Sequence, residues 1–288
     1  MLPHLLLLAA VVIWGWTFVA TKILVAEIGP IEVFALRVAI GLPCVGVWLI
    51  ARRVRLGFTA EDARPLLLGG AVLTLHFVVQ IAGIVTTTAT NTAWIITASP
   101  LALAVLSFLF LRERLGGAGV LGILVATFGV LLLVSKGDFR SMGWIRNTGD
   151  WLVLASAHTW ALYTVVTRDF ARRRNPLAVT FGILAVTAVG AATLFGAFGD
   201  LARVRALSPR GIAAAIYLGV LGLAAGQWFW QTGVARLGAS RAALYLYIEP
   251  LATVALAVPL LGERVGLTTA VGGSLVLAGV YLGQRRRP

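Results

Sequence analysis

The chain has 288 residues, of which 59% are hydrophobic and only 12% are charged, and its mean hydropathy is +0.94. This composition leaves too little polar surface to cover a soluble globule of this size, so it predicts a membrane protein. A net charge of +13 would suggest nucleic-acid binding in a soluble protein. Here the arginines cluster at the ends of apolar runs, which is typical of membrane topology and predicts no nucleic-acid partner.

The apolar runs are continuous and about 20 residues long, as in helices that cross the hydrocarbon core, and they lack the alternation of a membrane barrel. The first run has no positive region before it and no small-residue cleavage site, so we expect a retained helix and not a signal peptide. Charged residues, glycines and prolines divide the chain into ten predicted spans, starting near residues 4, 31, 65, 91, 117, 150, 177, 211, 241 and 265. Connections are short, so no soluble domain is expected.

The chain contains an internal repeat. When residues 65–134 are shifted by 150 positions without a gap, 18 of the 70 residues meet an identical partner. Pro100 recurs as Pro250, and at an offset of 146 Trp14 recurs as Trp160. Repeats of this length indicate that each half is a multi-element unit, so we predict halves at 1–145 and 146–288.

Five predicted crossings per half is an odd number, so the second half would enter the membrane from the opposite side. The sequence therefore predicts two inverted five-helix repeats, a construction typical of secondary transporters that work by alternating access. Lys and Arg are more numerous at the ends that are cytoplasmic if the amino terminus is inside, so we expect both termini in the cytoplasm. The alternative is that duplication built a passive channel.

Several segments carry a resemblance to a known family. They are TASPLALAVLSFLFLRERLG at 97–116, YIEPLATVALAVPLLGERVG at 247–266, VIWGWTFVATK at 12–22 and FALR at 34–37. Together they resemble the EamA branch of the drug/metabolite transporter superfamily, and the aromatic richness is most similar to the YddG-type aromatic amino acid exporters of bacterial inner membranes.

This resemblance implies ten helices around a central cavity that is lined mainly by spans 1, 3, 4, 6, 8 and 9. It also implies export of amino acids, metabolites or drugs. We therefore expect a secondary transporter, monomeric and multi-pass in the bacterial inner membrane, that exports aromatic or other neutral amino acids or similar metabolites. The alternatives are a proton-coupled exporter of drugs or organic cations and a passive channel.

Glu249 is the sharpest candidate for a binding residue. It lies in the middle of the ninth span, directly before Pro250, whose missing N–H frees a carbonyl and favours a bend. Its repeat partner is Ser99, directly before Pro100. Both halves therefore keep the proline, which is a predicted hinge, but only the second half carries an acidic residue before it. Charged groups inside a bilayer are costly, which favours a site for a substrate amino group or a proton. The alternative is a structural carboxylate paired with an arginine.

His76 and Gln80 are four residues apart and share one helix face, as expected of a cavity wall, although a membrane histidine is as often bonded to a neighbouring helix. Aromatic side chains with polar neighbours at helical spacing suit a flat, partly apolar solute or an organic cation. The complete set of predicted substrate-binding residues is Trp14, Thr17, His76, Gln80, Asn91, Trp94, Ser99, Trp160, Tyr163, Gln227, Trp230, Tyr245 and Glu249. Arg37 is interpreted as structural, either snorkelling or paired with Glu32.

Several motifs are absent from the sequence. No Gly-rich G-x-x-x-x-G-K-[ST] loop is present, so no nucleotide is hydrolysed in the Walker manner, and transport is expected to be passive or coupled to an ion such as the proton. No His-Glu-x-x-His and no paired-carboxylate motif is present either. We therefore expect no enzyme activity, no cofactor and no metal site.

Overall fold

The structure is a computed structural model that describes residues 1–112, 116–135, 147–261 and 267–284. All regular elements in these ranges are helices, so the predicted all-α class is confirmed for the described part of the chain. The helices of the first half are α1 (Leu2–Val25), α2 (Pro30–Ala51), α3 (Ala63–Thr86), α4 (Ala89–Ile95), α5 (Ala98–Leu111) and α6 (Gly117–Ser135). Those of the second half are α7 (Thr148–Arg173), α8 (Pro176–Phe198), α9 (Leu201–Arg205), α10 (Pro209–Ile216), α11 (Gly226–Leu237), α12 (Ala239–Ala243), α13 (Glu249–Leu261) and α14 (Leu267–Gln284).

Helices begin within two residues of the predicted span starts. Six helical stretches among the described residues are long and apolar enough to cross a membrane: Leu2–Val25, Pro30–Ala51, Ala60–Thr86, Asn91–Leu111, Pro176–Phe198 and Pro209–Leu237. Shorter apolar helices cover Gly117–Leu132 and Val271–Gly283. The expected polytopic membrane protein is confirmed, and the count of ten spans stays a prediction.

The helix α7 differs from the other long helices because its 26 residues include several charged and polar side chains. Its buried face carries Asp150, Tyr163 and Thr167, and it packs mainly on α3 and α5. A membrane helix with polar groups on its inner face is typical of a helix that lines a functional interior. The largest cluster of buried apolar side chains surrounds it and joins α1, α2, α3, α8 and α11.

Two breaks in the helices precede the predicted hinge prolines. A turn at Ile96 and Thr97 separates α4 from α5, which carries Pro100, and a 3-10 segment at Leu244–Ile248 precedes α13, which carries Pro250. Each proline lacks an N–H, so the carbonyl four residues earlier loses its α-helical partner. In both halves that carbonyl accepts from the residue before the proline, Ser99 N to Ile96 O at 2.8 Å and Glu249 N to Leu246 O.

The helices α6 and α14 pack closely against each other through small residues. An added Cβ at Gly122 would lie 2.6 Å from Gly279 O, and one at Gly129 would lie 2.7 Å from Gly272 O. Only glycine permits such an approach of two backbones. The earlier glycine of α6, Gly122, meets the later glycine of α14, Gly279, and the later glycine of α6, Gly129, meets the earlier one of α14, Gly272. The two helices are therefore antiparallel.

Two carboxylates, Glu27 in the loop between α1 and α2 and Glu32 in the first turn of α2, bind the segments before α9 and α10. Glu27 accepts from the backbone N–H of Ser208 at 2.9 Å and from its hydroxyl at 2.7 Å. Both hydrogen bonds lower the pKa of Glu27 below its ordinary value, and the one from the backbone N–H has the larger effect. Glu32 Oε1 accepts from Asp200 N at 3.0 Å. None of the ion pairs among the described residues joins Glu32 to Arg37, so the expected alternative of a Glu32–Arg37 pair is wrong.

Candidate functional site

A small cavity of about 40 Å³ lies where the two helix breaks meet α1, α2, α3 and α7, and we call it the central cavity. Ligand pockets in proteins usually measure about 300–1,000 Å³. This conformation is therefore contracted and has room for only a few waters. The lining residues are Trp14, Thr17, Phe18, Arg37, His76, Phe77, Gln80, Ile96, Ser99, Trp160, Gln227, Leu246 and Glu249.

The lining brings together many of the residues that the sequence predicts for substrate binding. These are Trp14, Thr17, His76, Gln80, Ser99, Trp160, Gln227 and Glu249. They lie on the spans that the family resemblance implies, and α2 contributes Arg37 in addition. None of the described residues of α6 or α14 lines the cavity.

Three residues of the cavity lining carry buried polar atoms without a hydrogen-bond partner among the described residues. Arg37 Nε, Ser99 Oγ and Trp160 Nε1 are buried and accept or donate no hydrogen bond in the described part of the chain. Glu249 is 4% exposed, and no described residue donates to its carboxylate. Buried polar groups in folded proteins normally have partners, so a cluster of unpaired groups indicates a place where a ligand or water completes the bonding.

His76 is positioned by the helix opposite. Its Nδ1 lies 3.0 Å from the carbonyl oxygen of Ser156 on α7. Since a carbonyl only accepts, Nδ1 carries a proton and Nε2 is the ring nitrogen left to bind a solute or a water. The imidazole also contacts Trp160 and Phe77, each with ring centroids 5.2 Å away. Both readings of His76 therefore apply, because it is bonded to a neighbouring helix and lines the cavity.

Three tryptophans form a compact triangle beside the cavity. The ring centroids of Trp14 and Trp160 are 4.8 Å apart, those of Trp14 and Trp230 5.4 Å, and those of Trp160 and Trp230 5.7 Å. Trp14 and Trp160 reach the cavity, whereas Trp230 is fully buried and does not line it. The predicted aromatic wall exists, but in this conformation its rings contact each other, so separating them would widen the cavity.

A second group of polar side chains lies between α7 and α11 and is almost fully bonded. Tyr163 Oη donates to Gln227 Oε1 at 3.1 Å and accepts from Gln231 Nε2 at 2.7 Å. Gln231 Nε2 also lies 3.1 Å from Thr167 Oγ1, while its Oε1 has no partner among the described residues. Together with Trp230, which donates to Thr164 Oγ1 at 3.2 Å, we call this group the α7–α11 network. Tyr163 and Trp230 thus hold helices together beside the cavity.

Three more predicted site residues lie away from the cavity. Asn91 donates to Asp150 Oδ1 at 2.7 Å and belongs to the contact between α4 and the start of α7. Trp94 packs beside the cluster that includes Leu244 and Tyr247. The hydroxyl of Tyr245 is hydrogen-bonded to His4. These contacts connect helices, and none of the three side chains is part of the cavity lining.

Arg37 is the charged residue among the five lining residues that the sequence did not predict; the other four are Phe18, Phe77, Ile96 and Leu246. It is 3% exposed, and its guanidinium carbon lies 4.3 Å from the centre of the Phe77 ring. A single arginine inside an apolar span was the available signal, but the sequence does not give the face of α2 that turns inward. A desolvated arginine over an aromatic face is a strong donor of hydrogen bonds to oxyanions.

The chemistry of the lining is that of recognition and not of bond breaking. It combines one carboxylate, one guanidinium, an imidazole, two carboxamides and aromatic faces. No group of three His, Cys, Asp or Glu side chains in the described ranges could hold a metal ion. Such a lining can orient a small polar solute with an apolar portion.

Comparison with known proteins gives consistent matches over nearly the whole chain. The model of the EamA-like transporter family matches residues 1–135 and again residues 147–283. An uncharacterized transporter of Archaeoglobus fulgidus is 26% identical over 97% of this chain and 96% of its own length. A "probable terminal-alkyne amino-acid exporter" of Streptantibioticus cattleyicolor is 31% identical over 67% of this chain and 63% of its own.

The fold also has a counterpart among solved structures. One crystal structure matches with a TM-score of 0.79 at 21% identity, covering 98% of this chain and 95% of the other. The apolar helices, the cavity that they enclose and the two family matches agree with one another. The chain therefore belongs to the EamA-like transporter family and is a multi-pass membrane transporter.

Proposed function

We propose that this chain is a secondary transporter that exports aromatic or other neutral amino acids, or similar small metabolites, across the bacterial inner membrane by alternating access. It acts as a monomer with both termini in the cytoplasm, and it has no catalytic role. The central cavity carries this proposal, because its unpaired polar groups lie beside the aromatic rings of Trp14 and Trp160.

The choice of substrate class is supported by two further points. The cavity lining offers both an apolar aromatic surface and hydrogen-bonding groups, which suits a neutral amino acid better than a purely apolar drug. A relative covering two thirds of this chain is named as an amino-acid exporter. Within the family, we propose that its substrates are similar to those of the YddG-type exporters of aromatic amino acids.

The alternating mechanism is supported by reciprocal contacts between the proposed halves, 1–145 and 146–288. The helix α1 packs on α11 and α13, while its repeat counterpart α7 packs on α3 and α5, the counterparts of those two. Trp14 contacts its own counterpart Trp160, and the glycine pairs of α6 and α14 are crossed. These contacts are those expected of ten spans in two inverted repeats about a twofold axis.

The transition between the two access states requires the cavity to widen. The helix breaks before Pro100 and Pro250 lie at the cavity, and Ile96 and Leu246, four residues before each proline, both line it. We propose that these breaks are the hinges, because they are the places where α-helical hydrogen bonds are already absent.

One alternative function has a specific observation in its favour. The Glu249 carboxylate has no described partner and lies in the same lining as two tryptophan faces, which together could attract an organic cation. A proton-coupled exporter of drugs or organic cations is therefore the second candidate.

The test is counterflow in liposomes that contain the purified protein. Proteoliposomes preloaded with unlabelled amino acid are expected to take up the labelled compound with saturable kinetics and stimulation by substrate on the opposite side. The absence of counterflow across all twenty amino acids would contradict the proposal, and counterflow of organic cations alone would favour the second candidate. Flux without saturation or stimulation would indicate a passive channel.

The same liposomes distinguish uniport from proton coupling. Glu249 shares the cavity with two other titratable groups, Arg37 and His76. Comparing the wild type with Glu249→Gln removes only the carboxyl group and leaves the other two in place. Flux that responds to an imposed pH gradient, and loses that response in the variant, indicates coupling through this carboxylate. Flux that is equal with and without the gradient indicates uniport.

A further inference from the structure

Arg37 carries a buried positive charge that the protein itself does not neutralise. Its Nε is buried and has no hydrogen-bond partner among the described residues. None of the ion pairs that the described residues form includes Arg37. Its guanidinium carbon lies 4.3 Å from the centre of the Phe77 ring. A desolvated guanidinium with unused donors is costly unless an acceptor is supplied, and the cavity is where that acceptor can come from.

Glu249 places a carboxyl group in the same cavity. It is the first residue of α13, and its backbone carbonyl accepts from Thr253 Oγ1 at 3.0 Å while its carboxylate receives no hydrogen bond from a described residue. The approach of α1 fixes its position, because an added Cβ at Gly15 would lie 2.6 Å from Glu249 O. Arg37 and Glu249 both line the cavity, yet they do not form an ion pair with each other.

A guanidinium and a carboxyl group that line one cavity without pairing with each other are complementary to a solute that carries both a carboxylate and an ammonium. A cation alone would leave Arg37 unpaired and be repelled by it, and an anion alone would meet the same difficulty at Glu249. Ser99 Oγ and Trp160 Nε1 add unpaired neutral groups at the same lining. The aromatic rings of Trp14 and Phe77 complete it with apolar surface.

We propose that the central cavity binds the zwitterionic head of an α-amino acid, with its carboxylate on Arg37 and its ammonium on Glu249. This inference rests on the proposed amino acid transport and assigns the carboxylate subsite to a residue on α2. Arg37 thereby determines specificity, because it selects zwitterions over organic amines. The fork of the guanidinium matches a carboxylate with two parallel hydrogen bonds, so lysine replaces it only in part.

The test uses three probes of the same size that differ in charge. Phenylalanine is zwitterionic, phenethylamine lacks the carboxylate, and hydrocinnamate lacks the ammonium. Binding to the purified full-length protein in detergent is measured by the ligand-induced shift of the melting temperature, which does not require transport. We expect the wild type to bind phenylalanine at least roughly tenfold more tightly than either partial ligand.

The variants are expected to give mirror-image patterns. Arg37→Gln should weaken phenylalanine and hydrocinnamate by roughly tenfold or more while leaving phenethylamine unchanged or stronger. Glu249→Gln should weaken phenylalanine and phenethylamine and spare hydrocinnamate, and Arg37→Lys should restore part of the carboxylate preference. The matched control is Arg52→Gln, because Arg52 also lies over an aromatic ring, 4.6 Å from the centre of Trp228, but is exposed and outside the cavity.

The outcomes separate this inference from the proposed function. If wild-type liposomes show no amino acid counterflow, the proposed function fails. If they show counterflow but Arg37→Gln weakens all three probes equally, or none of them, the zwitterion inference is overturned and transport stands. If Arg37→Gln does not fold, it will show no melting transition, and Arg37→Lys then provides the test. The assignment would be overturned if Arg37→Lys bound all three probes as tightly as Arg52→Gln does.

Discussion

The central cavity and the α7–α11 network lie side by side and share Gln227, but a larger share of the polar atoms is bonded in the network, where Gln231 Oε1 is the buried atom without a described partner. In the network, Tyr163 both donates and accepts, and Trp230 donates to Thr164. In the cavity, Arg37 Nε and Ser99 Oγ have no described partner. Both regions are buried, so burial alone does not distinguish structure from binding.

This difference distinguishes residues that stabilise helix packing from residues that are available to bind a solute. A bonded buried network stabilises one packing of its helices and gains nothing from a ligand. Unpaired buried groups destabilise the empty protein, and a ligand that satisfies them regains that free energy as affinity. The comparison predicts that mutations in the network lower stability, whereas mutations in the cavity lower binding.

The largest effect is expected for Glu249→Gln, which removes the ionisable carboxyl group of the cavity. Amino acid counterflow should fall by roughly 30-fold or more, the lower end of the cost of truncating one partner of a buried charge pair, about 2 kcal/mol. The melting temperature of the empty protein should stay the same or rise, because a buried ionisable group without a partner is lost. Counterflow rates in liposomes and thermal unfolding in detergent measure the two effects.

Glu32→Gln is the matched control for that variant. Glu32 is equally buried, at 3% exposure, but its carboxylate accepts a hydrogen bond from Asp200 N and lies outside the central cavity. Glu32→Gln should have the opposite effects to Glu249→Gln, that is, a lower melting temperature and near-normal counterflow. Equal losses of counterflow in both variants would break the comparison between bonded and unpaired groups.

Much of the fold could be predicted from the sequence because membrane helices are set by long apolar runs. The helices begin where the Gly, Pro and charge pattern predicts, and the two helix breaks lie just before Pro100 and Pro250. Trp14 and Trp160, which the repeat identifies as equivalent positions of the two halves, contact each other in the structure. These features depend on local composition, which the sequence shows directly.

The site could be predicted only in part, since helix rotation decides which side chains meet. Helical spacing placed His76 and Gln80 correctly on one face, and both line the cavity. The same reasoning could not separate Tyr163, which is bonded within a helix contact, from Trp160, three positions earlier, which lines the cavity. For Arg37, the cost of burying a charge favoured snorkelling, but its actual surroundings depend on packing between distant helices.

A smaller effect is expected for Tyr163→Phe in the α7–α11 network. The change removes the hydroxyl that joins Gln227 to Gln231 and leaves two buried amide groups poorly bonded, which should lower stability by about 1–2 kcal/mol. The melting temperature should fall, while the preference for phenylalanine over phenethylamine should stay as in the wild type. A lost preference at unchanged stability would mean that the network belongs to the binding site.

The smallest and sharpest test compares two serines on the same helix, α5. Ser99 Oγ and Ser107 Oγ are both buried without a described partner, but only Ser99 lines the central cavity. Neither Ser99→Ala nor Ser107→Ala breaks a hydrogen bond in the empty protein, so both should leave the melting temperature nearly unchanged. Ser99→Ala should weaken phenylalanine binding by roughly two- to tenfold, the value of one neutral hydrogen bond, and Ser107→Ala should not. If the two variants bind phenylalanine equally well, an unpaired polar atom at this lining does not mark a ligand contact, and the comparison holds only for the charged groups.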